Sequence, residues 1–273
     1  MAFLPKKQRF LRYLSGFLFG LSAWLGHSLA LAQLGVSPIV LEIQARRGQS
    51  QGFISIYNTG NEPYRARVYA QPFTYDRDRG FQTLPETPLD LTPYLQFTPR
   101  ELVVQPGQNR RVRLIGRFPP SLAEGEYRTA LMVEGLDPIT IIDGAGNTLN
   151  IVQRIAATVF VRNGELEAEL VVDRAFWNPQ TRQITILVQN LGGASARPGI
   201  EWLLLQAGTE IDRGQISPEI ILAGGDRHLA ITYAEGEEIP APGTYQLQGE
   251  LVWHENNYRR QNQESFQIDL IVE

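Results

Sequence analysis

The string "YDRDRGF" gives Asp76 and Asp78 the Asp-x-Asp spacing of a calcium loop, in which alternate side chains converge on one hard cation. The run itself lacks further acids and the terminal glutamate, so the string reads as a charged hairpin turn. "DGAGN", from Asp143, reads the same way. Of the histidines, His27 falls in an N-terminal leader. His228 and His254 remain, without the companion spacing of a zinc site or a catalytic triad. Neither a Gly-x-Ser-x-Gly elbow nor a P-loop occurs. The absence of cysteine excludes zinc–thiolate sites and thiol nucleophiles. No spacing singles out a carboxylate pair for glycoside cleavage. The expectation is a protein that is not an enzyme and has no cofactor and no metal. Its chemistry is that of guanidinium groups, which grip carboxylates through paired hydrogen bonds. Candidates are Arg46, Arg47, Arg110, Arg111, Arg113, Arg154 and Arg162.

The elements that hold these residues begin after the leader. Lys6, Lys7, Arg9 and Arg12 precede an apolar run that ends at Ala30-Leu31-Ala32, a small-residue cleavage site. This is the pattern of a secretory signal peptide over 1–32, with cleavage after Ala32 and export to the periplasm. No later stretch is long and apolar enough to span a membrane. The formal net charge is −4, and the leader holds four cations and no acid. The remainder is therefore more acidic, and all its basic residues are arginine. An acidic chain of this kind is a poor partner for nucleic acid. Without disulfides, core burial alone must stabilise it, and the length suffices for one or two ordinary domains.

Period-2 alternation dominates the chain beyond the leader. "FISIYN", "RARVYAQ", "RRVRLIG", "YRTALMVEG" and "LNIVQRIAATVFV" are strand signatures, separated by Asn/Gly/Pro turns. Three phrases then recur in order. "ITILVQNLGG" matches "FISIYNTGN", "IILAGGDRHLAI" matches "VVQPGQNRRVRL", and "APGTYQLQGELVW" matches "AEGEYRTALMVEG". An ordered recurrence of this kind argues two copies of one unit. Short strands with closely spaced turns predict two tandem immunoglobulin-like β-sandwiches, an all-β fold, over 33–162 and 165–273, joined at Asn163-Gly164. Tyr127 and Tyr245, each two residues after a glycine, are predicted tyrosine corners, with Thr129 and Leu247 where such strands often carry cysteine. Trp177, Trp202 and Trp253 read as core or rim residues of the second domain. The stretch Leu149 to Val161 reads as one unusually long alternating strand, without an equally long counterpart in the second domain. At a sheet edge such a strand needs a partner to cover it.

The order of phrases resembles the PapD-like family of periplasmic pilus-assembly chaperones. The residues that carry the resemblance are "SPIVLEI", then Asn58, Pro63 and Tyr64 in "IYNTGNEPYRARV". Thr98, Pro99, Pro106, Gly107, Val112 and Arg113 in "FTPRELVVQPGQNRRVRLI" come next, and then "LNIVQRIAATVFVRNG", ending in Phe160 and Arg162. They span about 130 residues of the first domain. The resemblance implies a boomerang of two immunoglobulin-like domains that caps exported pilin-like subunits by lending them a strand. Leu149, Ile151 and Ile155 would be the lent side chains. An outer-membrane usher is the further partner it implies. The family grips the subunit's terminal carboxylate with an arginine and a lysine, whose positions fall near Ile39 and at Thr158. Neither is cationic here, so Arg154, with Arg46 or Arg162, is the candidate substitute. The rival reading is an immunoglobulin-like structural or adhesive module of the periplasm or cell surface, without a client.

Overall fold

The computed structural model describes residues 34–142, 146–255 and 260–273; the expected leader and part of "DGAGN" lie outside them. The first sandwich runs through β1 (Leu34–Ser37), β2 (Val40–Gln44), β3 (Gln49–Asn58), β4 (Tyr64–Gln71), β5 (Phe73–Asp76) and β6 (Gly80–Thr83). It continues with β7 (Leu95–Thr98), β8 (Glu101–Val104), β9 (Asn109–Arg117), β10 (Gly125–Gly135), β11 (Ile139–Ile142), β12 (Thr148–Ile151) and β13 (Arg154–Asn163). One sheet has the order β1-β3-β9-β7, and the facing sheet β2-β13-β10-β4-β8. The second sandwich contains β14 (Leu170–Asn178), β15 (Gln183–Asn190), β16 (Gly199–Gln206), β17 (Thr209–Ile216), β18 (Asp226–Thr232), β19 (Gly243–Glu255) and β20 (Arg260–Val272). Its sheets are β14-β15-β18 and β17-β16-β19-β20. The fold is all-β, two tandem immunoglobulin-like sandwiches, as the alternation predicts.

The alternation works because one parity of each strand enters a core. Ile54 and Ile56 of β3, Val112 and Leu114 of β9, and Val159 and Val161 of β13 meet between the first two sheets. Ile184, Ile186, Leu204, Leu247 and Leu251 do the same in the second sandwich, joined by Trp202 and Trp253, with Trp177 packed against them. Burying one such large apolar side chain stabilises by roughly 1.5–3 kcal/mol. A native cystine contributes about 2–4 kcal/mol, so one or two well-packed side chains offset its absence. Leu247 fills that place directly, fully buried. Thr129 fills it with hydrogen bonds: its hydroxyl donates to Gln71 O (3.2 Å) and therefore accepts from Thr92 Oγ1 (3.0 Å).

The repeat is visible at the level of single bonds. Asn58 Nδ2 donates to the carbonyls of Glu62 (2.6 Å) and Val104 (3.0 Å), and its Oδ1 accepts from Gly60 N (2.9 Å). Asn190 Nδ2 donates to Ala194 O (2.8 Å) and Ile221 O (3.3 Å), and its Oδ1 accepts from Gly192 N (3.0 Å). Val104 and Ile221 are matched positions of the repeated phrases. Both tyrosine corners form as well. Tyr127 Oη donates to Ala123 O (3.1 Å) and Tyr245 Oη to Ala241 O (2.8 Å), each four residues upstream.

Two expectations are corrected. Leu149 to Val161 is not one strand. Leu149 and Ile151 pair with Ile141 and Ile139 in the β11–β12 hairpin, and Val152-Gln153 separate this arm from β13, which pairs with β10. The segment after Gly135 folds back on β12 and satisfies its backbone locally, whereas β10 reaches only as far as Gly135. The second domain also has longer strands, not none: β19 and β20 pair over thirteen residues each.

A shared core joins the two sandwiches into one compact unit. Phe73, Ala130, Met132 and Phe160 of the first pack against Ile220 and Leu222 of the second. The "YDRDRGF" hairpin, β5–β6, adds a polar clasp. Arg77 pairs with Asp226, His228 Nδ1 meets Asp78 Oδ1 at 2.6 Å, and Arg227 Nη1 donates to Asp76 O (3.0 Å). Asp76 accepts from the amides of Asp78 and Arg79 (3.1 and 3.0 Å), which shapes the turn.

Replacing Asn58 or Asn190 with alanine strands buried carbonyls and amides, and each change is expected to destabilise by about 2–3 kcal/mol. Tyr127→Phe or Tyr245→Phe removes one bond and is expected to cost about 1 kcal/mol. Urea unfolding followed by circular dichroism ranks the four variants.

Candidate functional site

Strand β13 has two edges, and they are treated differently. On one, Glu134 to Gly125 of β10 pair with Arg154 to Asn163 throughout. On the other, the parallel partner β2 starts only at Thr158, opposite Val40. The ladder phase decides which groups face outward. Gly135 N donates to Gln153 O, so the odd-numbered residues bond β10. The even-numbered ones point away, as Thr158 N does when it donates to Ile39 O (2.8 Å). Arg154 and Ala156 therefore direct N–H and C=O toward a side on which no described strand pairs with them. Two ties bound this gap. At one end the Gln153 side chain exchanges two 3.3 Å bonds with the Leu34 backbone, and at the other lies the Thr158–Ile39 bond. Between the ties the chain turns away to pair with β3 as β1.

Apolar side chains flank the gap. Leu149 (58%), Ile151 (39%) and Val152 (50%) are exposed before it, and Ile39 (48%) after it. An unpaired strand edge between exposed apolar groups is a template for another chain.

The outward face of the same sheet carries a row of charges. Glu101 of β8 stands opposite Arg67 of β4, Arg67 opposite Glu134 of β10, and Glu134 opposite Arg154 of β13. Glu134 is nearly buried. It accepts from Arg67 Nη2 (2.6 Å) and Tyr69 Oη (2.9 Å), and Arg154 Nε lies 2.7 Å from it. Burial pushes its carboxyl upward. The hydrogen bonds from Tyr69 and Arg67 and the charges of Arg154 and Arg67 outweigh that, leaving it below the ordinary glutamate value.

The structure separates the residues proposed from sequence. Leu149 and Ile151 lie exposed on the hairpin. Ile155, of the same parity, faces inward and packs against the first core, so it is not free to be lent. Its neighbour Ala157 is fully buried there. Arg154 opens β13 at the gap. Arg46 is exposed in the turn before β3, where its backbone bridges Gln49. Arg162 is not available to a partner. It is buried between the sandwiches, with Nε donating to Glu126 Oε2 (3.0 Å) and Nη2 to Ser195 O (3.1 Å). Glu126 in turn accepts from Ser195 N (3.0 Å) and Ser195 Oγ. Ile39 and Thr158, placed by the family resemblance, are in contact through that backbone bond, and neither offers a cation. A cleft of about 720 Å³ beside β2 contains Arg197, which pairs with Glu42 and lies 5.4 Å over the Phe160 ring. Ala156, Gln153, Arg67 and Glu134 were not singled out from sequence. Parity on one strand points to Ala156, but the row from Glu101 to Arg154 needs the register of four strands.

Two immunoglobulin-like sandwiches in tandem are a fold that this chain shares with solved structures of fimbrial chaperones. Among solved structures, the YadV chaperone is similar over 86% of this chain and 99% of its own, at 13% identity and a TM-score of 0.50. The class 5 fimbriae chaperone CfaA is similar to the same extent, 86% and 99%, at 13% identity and a TM-score of 0.50. Sequence comparison finds no matching family model and no match among curated proteins. Among the described residues no helix is long and apolar enough to cross a membrane.

Because the folded-state value of Glu134 is depressed, its cluster stabilises fully above the ordinary glutamate value of about 4.3 and loses that contribution as pH falls through the folded value. The stability gap between the wild type and Glu134→Gln is expected to hold from neutrality down to about that value and to close below it. Urea midpoints measured across pH check this.

Proposed function

We propose that this chain is a periplasmic chaperone-type protein that receives an exported, pilin-type subunit by strand addition at the open edge of β13. The observation that carries this is the outward backbone of Arg154 and Ala156, set in a gap between Leu149, Ile151 and Val152 on one side and Ile39 on the other. In strand addition, main-chain bonds supply affinity and alternate side chains supply fit. The gap offers the first, and the exposed apolar groups the second. Its likeness in fold to chaperones such as CfaA supports the same reading.

The leader over 1–32 would deliver the chain to the periplasm, and domains 33–162 and 165–273 would form the binding body. Leu149 and Ile151 are the side chains offered to the subunit. Ile155 anchors β13 to its own core. Of the three arginines offered as substitutes for the family's cationic pair, Arg154 alone stands at the gap. The reading makes no use of an usher.

Co-purification with a pilin-type subunit from the envelope fraction tests the proposal. Ala156→Pro removes the outward N–H and leaves the bonds to β10 in place. The double variant Leu149→Asp, Ile151→Asp makes the hairpin polar. Each is expected to lower subunit recovery at least about tenfold. The exposed hairpin pair is expected to leave stability within about 0.5 kcal/mol of wild type, the usual range for surface changes, and a urea midpoint measured beside each recovery separates lost binding from lost packing at Ala156, which abuts the core between the sandwiches. Undiminished recovery by both variants would overturn the strand-addition mechanism.

A further inference from the structure

Across the outward face of the five-stranded sheet, charge alternates strand by strand. Glu101 is followed by Arg67, Arg67 by Glu134, and Glu134 by Arg154, every pair in direct register. Directly opposed charges of unlike sign stabilise a sheet, and like charges destabilise it. Each interior member of the row has an opposite charge on both sides. Arg154 has one only, because no described strand pairs with the other edge of β13 at this point. Its side chain is 54% exposed, and it reaches Glu134 through Nε, the inner edge of the guanidinium. The next residue on the same face is Ala156, half-buried and without charge. The row therefore stops on a cation at the strand edge that the proposed function leaves open.

We propose that the strand received at this edge carries a carboxylate side chain directly across from Arg154. This rests on the strand-addition reading and deepens it. The partner segment is an extended strand with an aspartate or glutamate facing the outward side of the sheet, and a lysine or arginine there is disfavoured. Arg154 thus sets register as well as selecting charge. A slip by one residue turns the acid to the other face of the sheet, where Ile155 and Ala157 enter the apolar core. A slip by two residues sets the acid beside Ala156.

Two series of acetylated, amidated seven-residue strand peptides of alternating valine and threonine test this. One series carries a single glutamate and the other a single lysine, placed at each position in turn. Binding to the full chain is read by fluorescence anisotropy at low salt. At one position the glutamate peptide is expected to bind about fivefold tighter than its lysine counterpart, the upper end of an opposed-charge preference across strands. Arg154→Gln should erase the preference and Arg154→Lys retain most of it. Glu134 keeps Arg67 and Tyr69 in both variants, so both should fold. Equal affinity of the two series at every position, or a preference that survives Arg154→Gln, overturns the inference and leaves strand addition standing. Binding by neither series removes strand addition itself, and the inference with it.

Discussion

Everything distinctive about this molecule depends on how one strand distributes its backbone hydrogen bonds. Strand β13 is bonded to β10 along its whole length but to β2 only from Thr158 onward. The cause is the path of the first segment. Leu34–Ser37 belongs to the sheet of β3, and the chain crosses to the facing sheet only at Val40. A strand that changes sheets can cover its neighbour over only part of its length. Arg154 and Ala156 are left with outward backbone groups that no described strand pairs with.

The closed half of β13 is as consequential as the open half. Phe160 enters the apolar contact between the sandwiches, and Arg162 enters the polar one with Glu126 and Ser195. A buried carboxylate survives only when its lone pairs are occupied. Glu126 achieves this with a guanidinium from its own sandwich and the amide and hydroxyl of Ser195 from the other. Removing one partner of such a pair leaves an uncompensated buried charge, whereas a surface pair such as Arg65 with Asp137 contributes little.

Much of the fold is legible in the residues themselves. Alternation marks the strands, the doubled phrases mark the two sandwiches, and Tyr127 and Tyr245 mark matching corners because a buried phenol needs an acceptor and each finds one four residues upstream. Asn58 and Asn190 are legible for the same local reason. The misreading of Leu149 to Val161 has a physical cause. A hairpin arm followed by a fresh strand shows the same period of two as one continuous strand, so Leu149, Ile151, Ile155 and Ala157 keep one parity across the break. Whether an arginine is free or engaged is a matter of distant residues. Arg162 is tied up by Ser195, thirty-three positions away, and by Glu126, thirty-six positions away. Composition and local pattern carry no trace of either.

The Arg162–Glu126 pair sits on the same strand as the unpaired edge, eight residues from Arg154, and is tied to the loop around Ser195. The joint between the sandwiches and the outward backbone of Arg154 and Ala156 therefore share one strand, so a shift of β13 at the joint is also a shift of that edge.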